Sequence, residues 1–289
     1  MKKIFIKELI KARRKNKNIL LVVNDLGYGM VEPFVKQFPK SIYNAGVSEQ
    51  SMMGYAAGLA ACGNHVFVYS IGNFNTFRCA EQIRNDVDYH NLPVTIVSAG
   101  AGVGYGSLGY THHAIQDYSL IRSFPNMTIA SPGDLMELRS CMDFLVNNPQ
   151  PSYLRLEKSS EFVIHSRKPK LYPGKWIKVF ENKKTDRKKE IYLSTGSVLE
   201  YSLSSFKKGT FKKKTLYSVP LWGMKSKKYQ SKKIKKFKKI VVIEDHLKDG
   251  GFQSWLNEAN QESKIISKSL SSNIIEKVGS QSFLMKFLK

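Results

Sequence analysis

The feature that most limits this chain is its rhythm. Short apolar runs alternate with longer stretches of helical character through the whole first half. Ile19-Leu20-Leu21-Val22-Val23 is apolar at every position, which fits a strand buried on both faces better than one lying on a solvated sheet. Val66-Phe67-Val68-Tyr69, residues 93–98 and Thr128-Ile129-Ala130 repeat the pattern. Between them lie residues 50–62, rich in Ala, Gly and Met, residues 77–88, and a helix that opens at Pro132-Gly133-Asp134 and runs to Val146. Residues 4–14 precede the first strand with a helical pattern, and Ser152-Tyr153-Leu154-Arg155-Leu156 supplies a closing strand. Strands separated by helices can pair in parallel, since the helix is the crossover that returns the chain to the same end of the sheet. The expected fold is therefore α/β, with a doubly wound parallel sheet over residues 1–160.

The rhythm breaks and then resumes. Residues 161–188 are polar, carry Pro169, Pro173 and Gly174, and read as a linker with one strand. Apolar runs return at residues 191–194, 215–219 and 240–244, and Gly250-Gly251 precedes a helix over 252–259. Residues 189–289 are thus expected to form a second, smaller α/β domain of the same doubly wound kind.

Composition narrows the function classes. The chain has 289 residues and is 42% hydrophobic, enough to bury a core. Its net charge of +23 is unevenly placed, the excess lying in residues 183–189, 207–214 and 225–239. The surplus is Lys rather than Arg and is not interleaved with stacking aromatics, so a solvated face is expected and nucleic-acid binding is disfavoured. No apolar run is long enough to span a bilayer, and the basic start Met1-Lys2-Lys3 meets Lys7 and Glu8 too soon for a signal peptide. A cytoplasmic protein with no membrane contact is expected. Cys62, Cys79 and Cys141 are scattered and form no CxxC pair, which gives neither a disulfide framework nor a metal site.

Two clusters carry chemistry. In Gly46-Val47-Ser48-Glu49-Gln50 a carboxylate opens a helix whose next residues are small or apolar. One reading is a capping pair, Ser48 with Glu49 in the first turn. The other is a buried acid able to share a proton with a ring nitrogen. The second cluster is the glycine-rich stretch 99–117, which ends in His112 and His113. It lacks the Lys-Ser/Thr of a P-loop. Adjacent histidines diverge, so one of them facing a cleft as a proton donor or acceptor is expected, rather than both on one metal.

Taken together, these blocks resemble the transketolase family. The resemblance starts at Asp25-Leu26 and runs through Gly46-Val47-Ser48-Glu49-Gln50, Ala56-Ala57-Gly58, Glu81-Gln82-Ile83-Arg84-Asn85, Asn91-Leu92-Pro93-Val94, Gly109-Tyr110-Thr111-His112, Phe124-Pro125-Asn126-Met127 and Pro132-Gly133-Asp134. Thr195-Gly196-Ser197 and Glu244-Asp245-His246 with Gly250-Gly251 are similar to the family's C-terminal domain. The resemblance implies that Glu49 hydrogen-bonds the aminopyrimidine of thiamine diphosphate, that Phe74 and Phe77 pack on that ring, and that Asp25 lies near the thiazolium. It implies that His112 contacts a sugar oxygen and that Arg155 binds a substrate phosphate.

It also shows what is missing. Family members that hold the whole cofactor carry Gly-Asp-Gly followed by Asn, which bind Mg2+ or Ca2+ and the diphosphate; Gly133-Asp134 is followed by Leu135 and Asp249 is not preceded by Gly. The resemblance therefore implies the C-terminal subunit of a split transketolase, paired with an N-terminal subunit that holds metal and diphosphate, in an α2β2 heterotetramer acting on a sugar or sugar phosphate. Leu108 stands where the family has an acid, Gly29 where it has a phosphate-binding Ser, and Gly100 where it has a His. The alternatives are a 1-deoxyxylulose-5-phosphate-synthase-like subunit, the β subunit of a 2-oxo-acid dehydrogenase, and a non-catalytic or basic nucleic-acid-binding protein.

Overall fold

The structure, a computed structural model, describes residues 1–158, 161–181, 190–209, 211, 214–260 and 262–289. The Lys-rich stretch 183–189 and parts of 207–214 lie outside the described residues. Its strands in chain order are β1 (Ile19–Val23), β2 (Ile42–Asn44), β3 (His65–Ile71), β4 (Val94–Ala99), β5 (Thr128–Ala130), β6 (Ser152–Leu156), β7 (Ile177–Phe180), β8 (Glu190–Ser194), β9 (Thr215–Ser218), β10 (Leu221–Gly223), β11 (Lys239–Leu247) and β12 (Lys264–Leu270).

They form two sheets. The first has the order β10-β5-β6-β4-β3-β1-β2 and is parallel except for β10 at its edge. The second has the order β12-β11-β8-β9-β7, with β7 antiparallel at the edge. The α/β architecture with two wound sheets is as the sequence predicts. β7 is the single strand within residues 161–188, while β10, from the second half of the chain, pairs with β5 of the first sheet, Leu221 opposite Ala130.

Both faces of the first sheet are covered, and that is why its strands are apolar at every position. Ile19, Leu21 and Val23 of β1 join Phe5, Leu9 and Phe34 on one face, where the N-terminal helix Lys2–Lys15 packs. Val22 points the other way, to Met52, Met53 and Ala56 of the helix Glu49–Ala61. The same alternation sends Phe67 and Tyr69 of β3 to the first cluster and Val66 and Val68 to the second. Each such aliphatic or aromatic side chain contributes about 1.5–3 kcal/mol on burial, so a one-residue slip of register would cost both cores at once.

Among the described residues, the lysines of 225–239 lie mostly exposed, and several have local partners. Lys235 pairs with Glu262 at 3.1 Å, Lys239 with Glu190 at 3.1 Å, and Lys233 donates to the Gly174 carbonyl at 2.6 Å. Among the described residues no helix is long and apolar enough to cross a membrane.

The order of the first sheet also places the site. From β1 the chain steps to β2 on one side and later to β3 on the other, so the carboxyl ends of β1 and β3 flank a crevice. Open α/β sheets bind their ligands at such a switch point.

One pH dependence follows from β3. His65, its first residue, is buried, and its Nε2 lies 2.8 Å from Thr95 Oγ1 while Nδ1 has no partner. Burial lowers its pKa from 6.5 to about 4. The unfolded chain therefore takes up this proton first as pH falls. The contribution is fully present above about pH 6.5 and is lost as pH falls toward 4, about 2 kcal/mol of it by pH 5. Urea unfolding between pH 7 and pH 5 should show this loss, and His65→Asn should flatten it.

Candidate active site

The site is built where β1 ends and the helix Glu49–Ala61 begins. Glu49 is the first residue of that helix and is only 5% exposed. Ser48 occupies the N-cap but makes no capping hydrogen bond, so the capping reading does not explain the pair. The Glu49 carboxylate is instead held by side chains from elsewhere. Asn24 Nδ2, at the end of β1, donates to Oε1 at 2.8 Å, and Arg78 Nη1 lies 3.1 Å from Oε2. A buried carboxylate needs such partners, because removal from water is otherwise prohibitive. Asn24 is 2% exposed, and its carbonyl Oδ1 has no hydrogen-bond partner. An unpaired buried acceptor costs about 1–3 kcal/mol, which a donor entering the crevice would relieve.

A line of rings continues from Glu49. The Arg78 guanidinium lies 4.2 Å above the centre of Phe74. Phe74 meets the imidazole of His112 edge-on, with centroids 5.1 Å apart. His112 Nδ1 lies 2.9 Å from Thr111 Oγ1, and Asn73 Nδ2 donates to the Thr111 carbonyl at 3.1 Å, tying the two loops together. Burial and then the nearby Arg78 charge lower the His112 pKa below 6.5, so its ring is neutral at pH 7. Glu49, Phe74 and His112 are far apart in the chain, and the parallel sheet brings them into one cluster.

Asp25 is exposed beside this cluster and holds a left-handed backbone, φ 58°, uncommon for a residue with a side chain. Its Oδ1 accepts from Tyr28 Oη at 2.7 Å and from Asn44 Nδ2 at 3.3 Å. Phe77 stands apart. It is 47% exposed and lines a cleft of about 1150 Å³ with Gln116, Leu247 and Gln253, against the second half of the chain.

Arg155 requires a correction. It is 1% exposed, and its donors are already engaged: Nε on Asp117 Oδ2 at 2.7 Å, Nη1 on Asp245 Oδ1 at 2.7 Å, and Nη2 on the Ala114 carbonyl at 2.6 Å. A substrate phosphate has no access to a side chain enclosed in this way. Arg155 is the joint between the two sheets, since Asp245 belongs to β11. The glycine-rich loop has a matching structural role: a Cβ on Gly102 would lie 2.4 Å from Asp245 Oδ2, so glycine lets the loop close over this ion pair.

Sequence reasoning missed two residues of the cluster, Asn24 and Arg78. Asn24 sits immediately before Asp25 at the carboxyl end of a buried strand, a position from which polar side chains reach the crevice. Arg78 follows Phe77 in an otherwise uncharged turn, and only the fold shows that it faces Glu49.

Residues 1–161 match the family model for the transketolase pyrimidine-binding domain. One of the subunits of an apulose-4-phosphate transketolase from Phocaeicola vulgatus is 35% identical over 160 residues, 55% of this chain and 51% of that protein. A transketolase C-terminal section from Methanocaldococcus jannaschii is 31% identical over 258 residues, covering 87% of this chain and 78% of that one. A split-gene transketolase solved as an inactive beta4 tetramer superposes with a TM-score of 0.81 at 24% identity, over 98% of this chain and 91% of that one. The chain thus spans about half the length of the first of these relatives and most of the second. With a family model over more than half its length and a relative followed over most of both chains, the chain belongs to the transketolase family.

Proposed function

We propose that this chain is the pyrimidine-binding half of a composite, thiamine-diphosphate-dependent active site that transfers a ketol unit between sugars. The observation that carries the reading is the buried Glu49 carboxylate beside the unpartnered Asn24 Oδ1. Together they offer what an aminopyrimidine needs, a proton-exchanging acid for a ring nitrogen and an acceptor for an amino N–H. Phe74 supplies an aromatic wall next to them.

In this reading Glu49 holds and returns a proton at the pyrimidine nitrogen, and Asn24 keeps its carboxylate turned toward the crevice. The neutral His112 ring can donate or accept at a sugar hydroxyl or carbonyl oxygen. Asp25, held by Tyr28 and Asn44, places a second carboxylate at the mouth of the crevice. The chemistry the cofactor would supply when bound is a carbon nucleophile suited to ketol transfer.

The chain has no Gly-Asp-Gly motif, and we assign the diphosphate and its Mg2+ or Ca2+ to an N-terminal partner subunit. Two copies of each would give a heterotetramer. The exposed Phe77 and the cleft it lines are the surface we assign to that assembly. The three cysteines are unpaired, which suits a reducing, cytoplasmic setting.

Calorimetry tests the split directly. The isolated chain should bind thiamine diphosphate weakly or not at all, because it offers the pyrimidine end a few contacts from Glu49, Asn24 and Phe74 and lacks the Gly-Asp-Gly anchor for the diphosphate. Addition of a subunit carrying Gly-Asp-Gly should restore tight, metal-dependent binding and ketol transfer. Tight metal-dependent binding by this chain alone would contradict the proposal.

A further inference from the structure

The two oxygens of the Glu49 carboxylate have partners of different kinds. Oε1 accepts from Asn24 Nδ2 at 2.8 Å, and Asn24 is itself buried, so this half of the group is fixed from within. Oε2 faces Arg78, whose Nη1 lies 3.1 Å away and whose side chain is 52% exposed. The same guanidinium lies over the Phe74 ring, 4.2 Å from its centre. Arg78 thus places a flat, N–H-bearing cation between a carboxylate oxygen and an aromatic ring, where it both donates and stacks.

Those are the two contacts that the proposed function gives to an aminopyrimidine, a carboxylate oxygen for its ring nitrogen and Phe74 for its flat side. Two flat groups cannot hold one oxygen and one ring together. Nor can Arg78 do the pyrimidine's chemistry, since a guanidinium has donors and no acceptor. The surroundings show which partner can give way. Phe74 stands on a turn pinned by buried side chains. Asn75 donates to the Val97 carbonyl at 3.0 Å and accepts from Ser98 Oγ at 2.7 Å, and Thr76 Oγ1 donates to the Gly72 carbonyl at 2.6 Å. Glu49 is fixed by Asn24 and by its place at the start of a helix. Arg78 follows on the short turn Phe77–Cys79 with about half its side chain in solvent. A long side chain that swings outward regains rotamer freedom, which offsets part of the contact it gives up. The ring and the carboxylate stay in place, and the exposed arm is the part that can move.

We propose that Arg78 is an internal competitor for the pyrimidine seat, its guanidinium covering Glu49 Oε2 and Phe74 until a pyrimidine displaces it. This use of Arg78 rests on the reading of Glu49 and Phe74 as that seat. It makes cofactor loading and the outward swing of one side chain a single event. The sign of its effect on binding is diagnostic. An arginine that helped to hold the cofactor would strengthen binding, whereas one that occupies the seat weakens it. A seat available about a tenth of the time raises the apparent Kd about tenfold.

The test is the affinity of the assembled enzyme for thiamine diphosphate, measured by calorimetry without sugar. Arg78→Met keeps much of the stem and loses every N–H, and its Kd should fall about tenfold. Arg78→Lys keeps a counter-charge for Glu49, which guards against a Met variant that fails to fold. It lacks the plane that stacks on Phe74, so its Kd should fall by a smaller factor. Added ethylguanidinium, at concentrations that leave the fold intact, should raise the Kd of Arg78→Met again and leave the wild type unaffected. A purely structural arginine would show neither the tightening nor the reversal. An unchanged or raised Kd in the folded variants would overturn the role of Arg78. The seat itself is tested apart from it: Glu49→Ala and Phe74→Ala should weaken binding whatever Arg78 does. Wild-type affinity in both would remove the pyrimidine seat, and the competition for it as well.

Discussion

Arg155→Met is expected to destabilise the chain by about 3–5 kcal/mol, more than any single change to the crevice. The guanidinium is the shared partner of Asp117 and Asp245, and all three side chains are essentially inaccessible to water. Methionine fills much of the volume but strands two carboxylates without a counter-charge. Tyr153 Oη, 2.6 Å from Asp117 Oδ2, cannot compensate for both. The break falls between the sheets, so the second half should loosen first, and urea unfolding should show a lower midpoint. Adding Asp245→Asn to Arg155→Met should recover part of the loss, because it removes one of the stranded charges. A residue that merely bound substrate phosphate would behave differently: the variant would keep its stability and show only a raised KM for phosphorylated sugars.

The same residue shows where sequence reading stops. The wound sheets are legible because their physics is local: five consecutive apolar residues at 19–23 have to be buried on both faces, and the helices that bury them flank them in the chain, Lys2–Lys15 before and Glu49–Ala61 after. Glu49 and His112 are legible because each sits in a motif whose glycine and helix-start signals are contiguous. Arg155 is not, because what decides its role lies 38 and 90 residues away, on Asp117 and Asp245. A strand-borne arginine reads the same whether it faces a ligand or an acid from another sheet. Strand β10 escapes as a member of the first sheet for a related reason: three residues, Leu221-Trp222-Gly223, carry no periodicity that states which edge they will join. Asn24 and Arg78 belong to the same class, since their partner Glu49 is fixed by the packing of the helix on β1 and β3, not by neighbours in sequence.

The glycine-rich loop offers a different lesson. Glycines in such a stretch commonly cradle a ligand. In the fold, Gly102 makes room for Asp245 and Gly100 for Tyr105, so these two serve the close approach of the protein's own side chains. His113 is likewise absorbed into the interior, 1% exposed, while His112 faces the crevice, in line with the expected divergence of adjacent histidines.

Glu49→Gln tests most directly whether Glu49 exchanges a proton with the pyrimidine of thiamine diphosphate. Glutamine keeps the shape of the side chain, and its carbonyl can still accept from Asn24 Nδ2 as Oε1 does now. It cannot carry a proton to or from a ring nitrogen. Positioned proton transfer contributes about 10²–10⁴-fold, and a loss of that order is expected. The measurement is hydrogen–deuterium exchange at the cofactor's reactive carbon, made in the assembled enzyme without substrate, so that sugar binding plays no part. Exchange should collapse by that factor in Glu49→Gln and survive in His112→Ala, whose proposed partner is the sugar oxygen. Exchange at the wild-type rate in a folded, cofactor-loaded Glu49→Gln enzyme would contradict the assignment of Glu49 and the mechanism built on it.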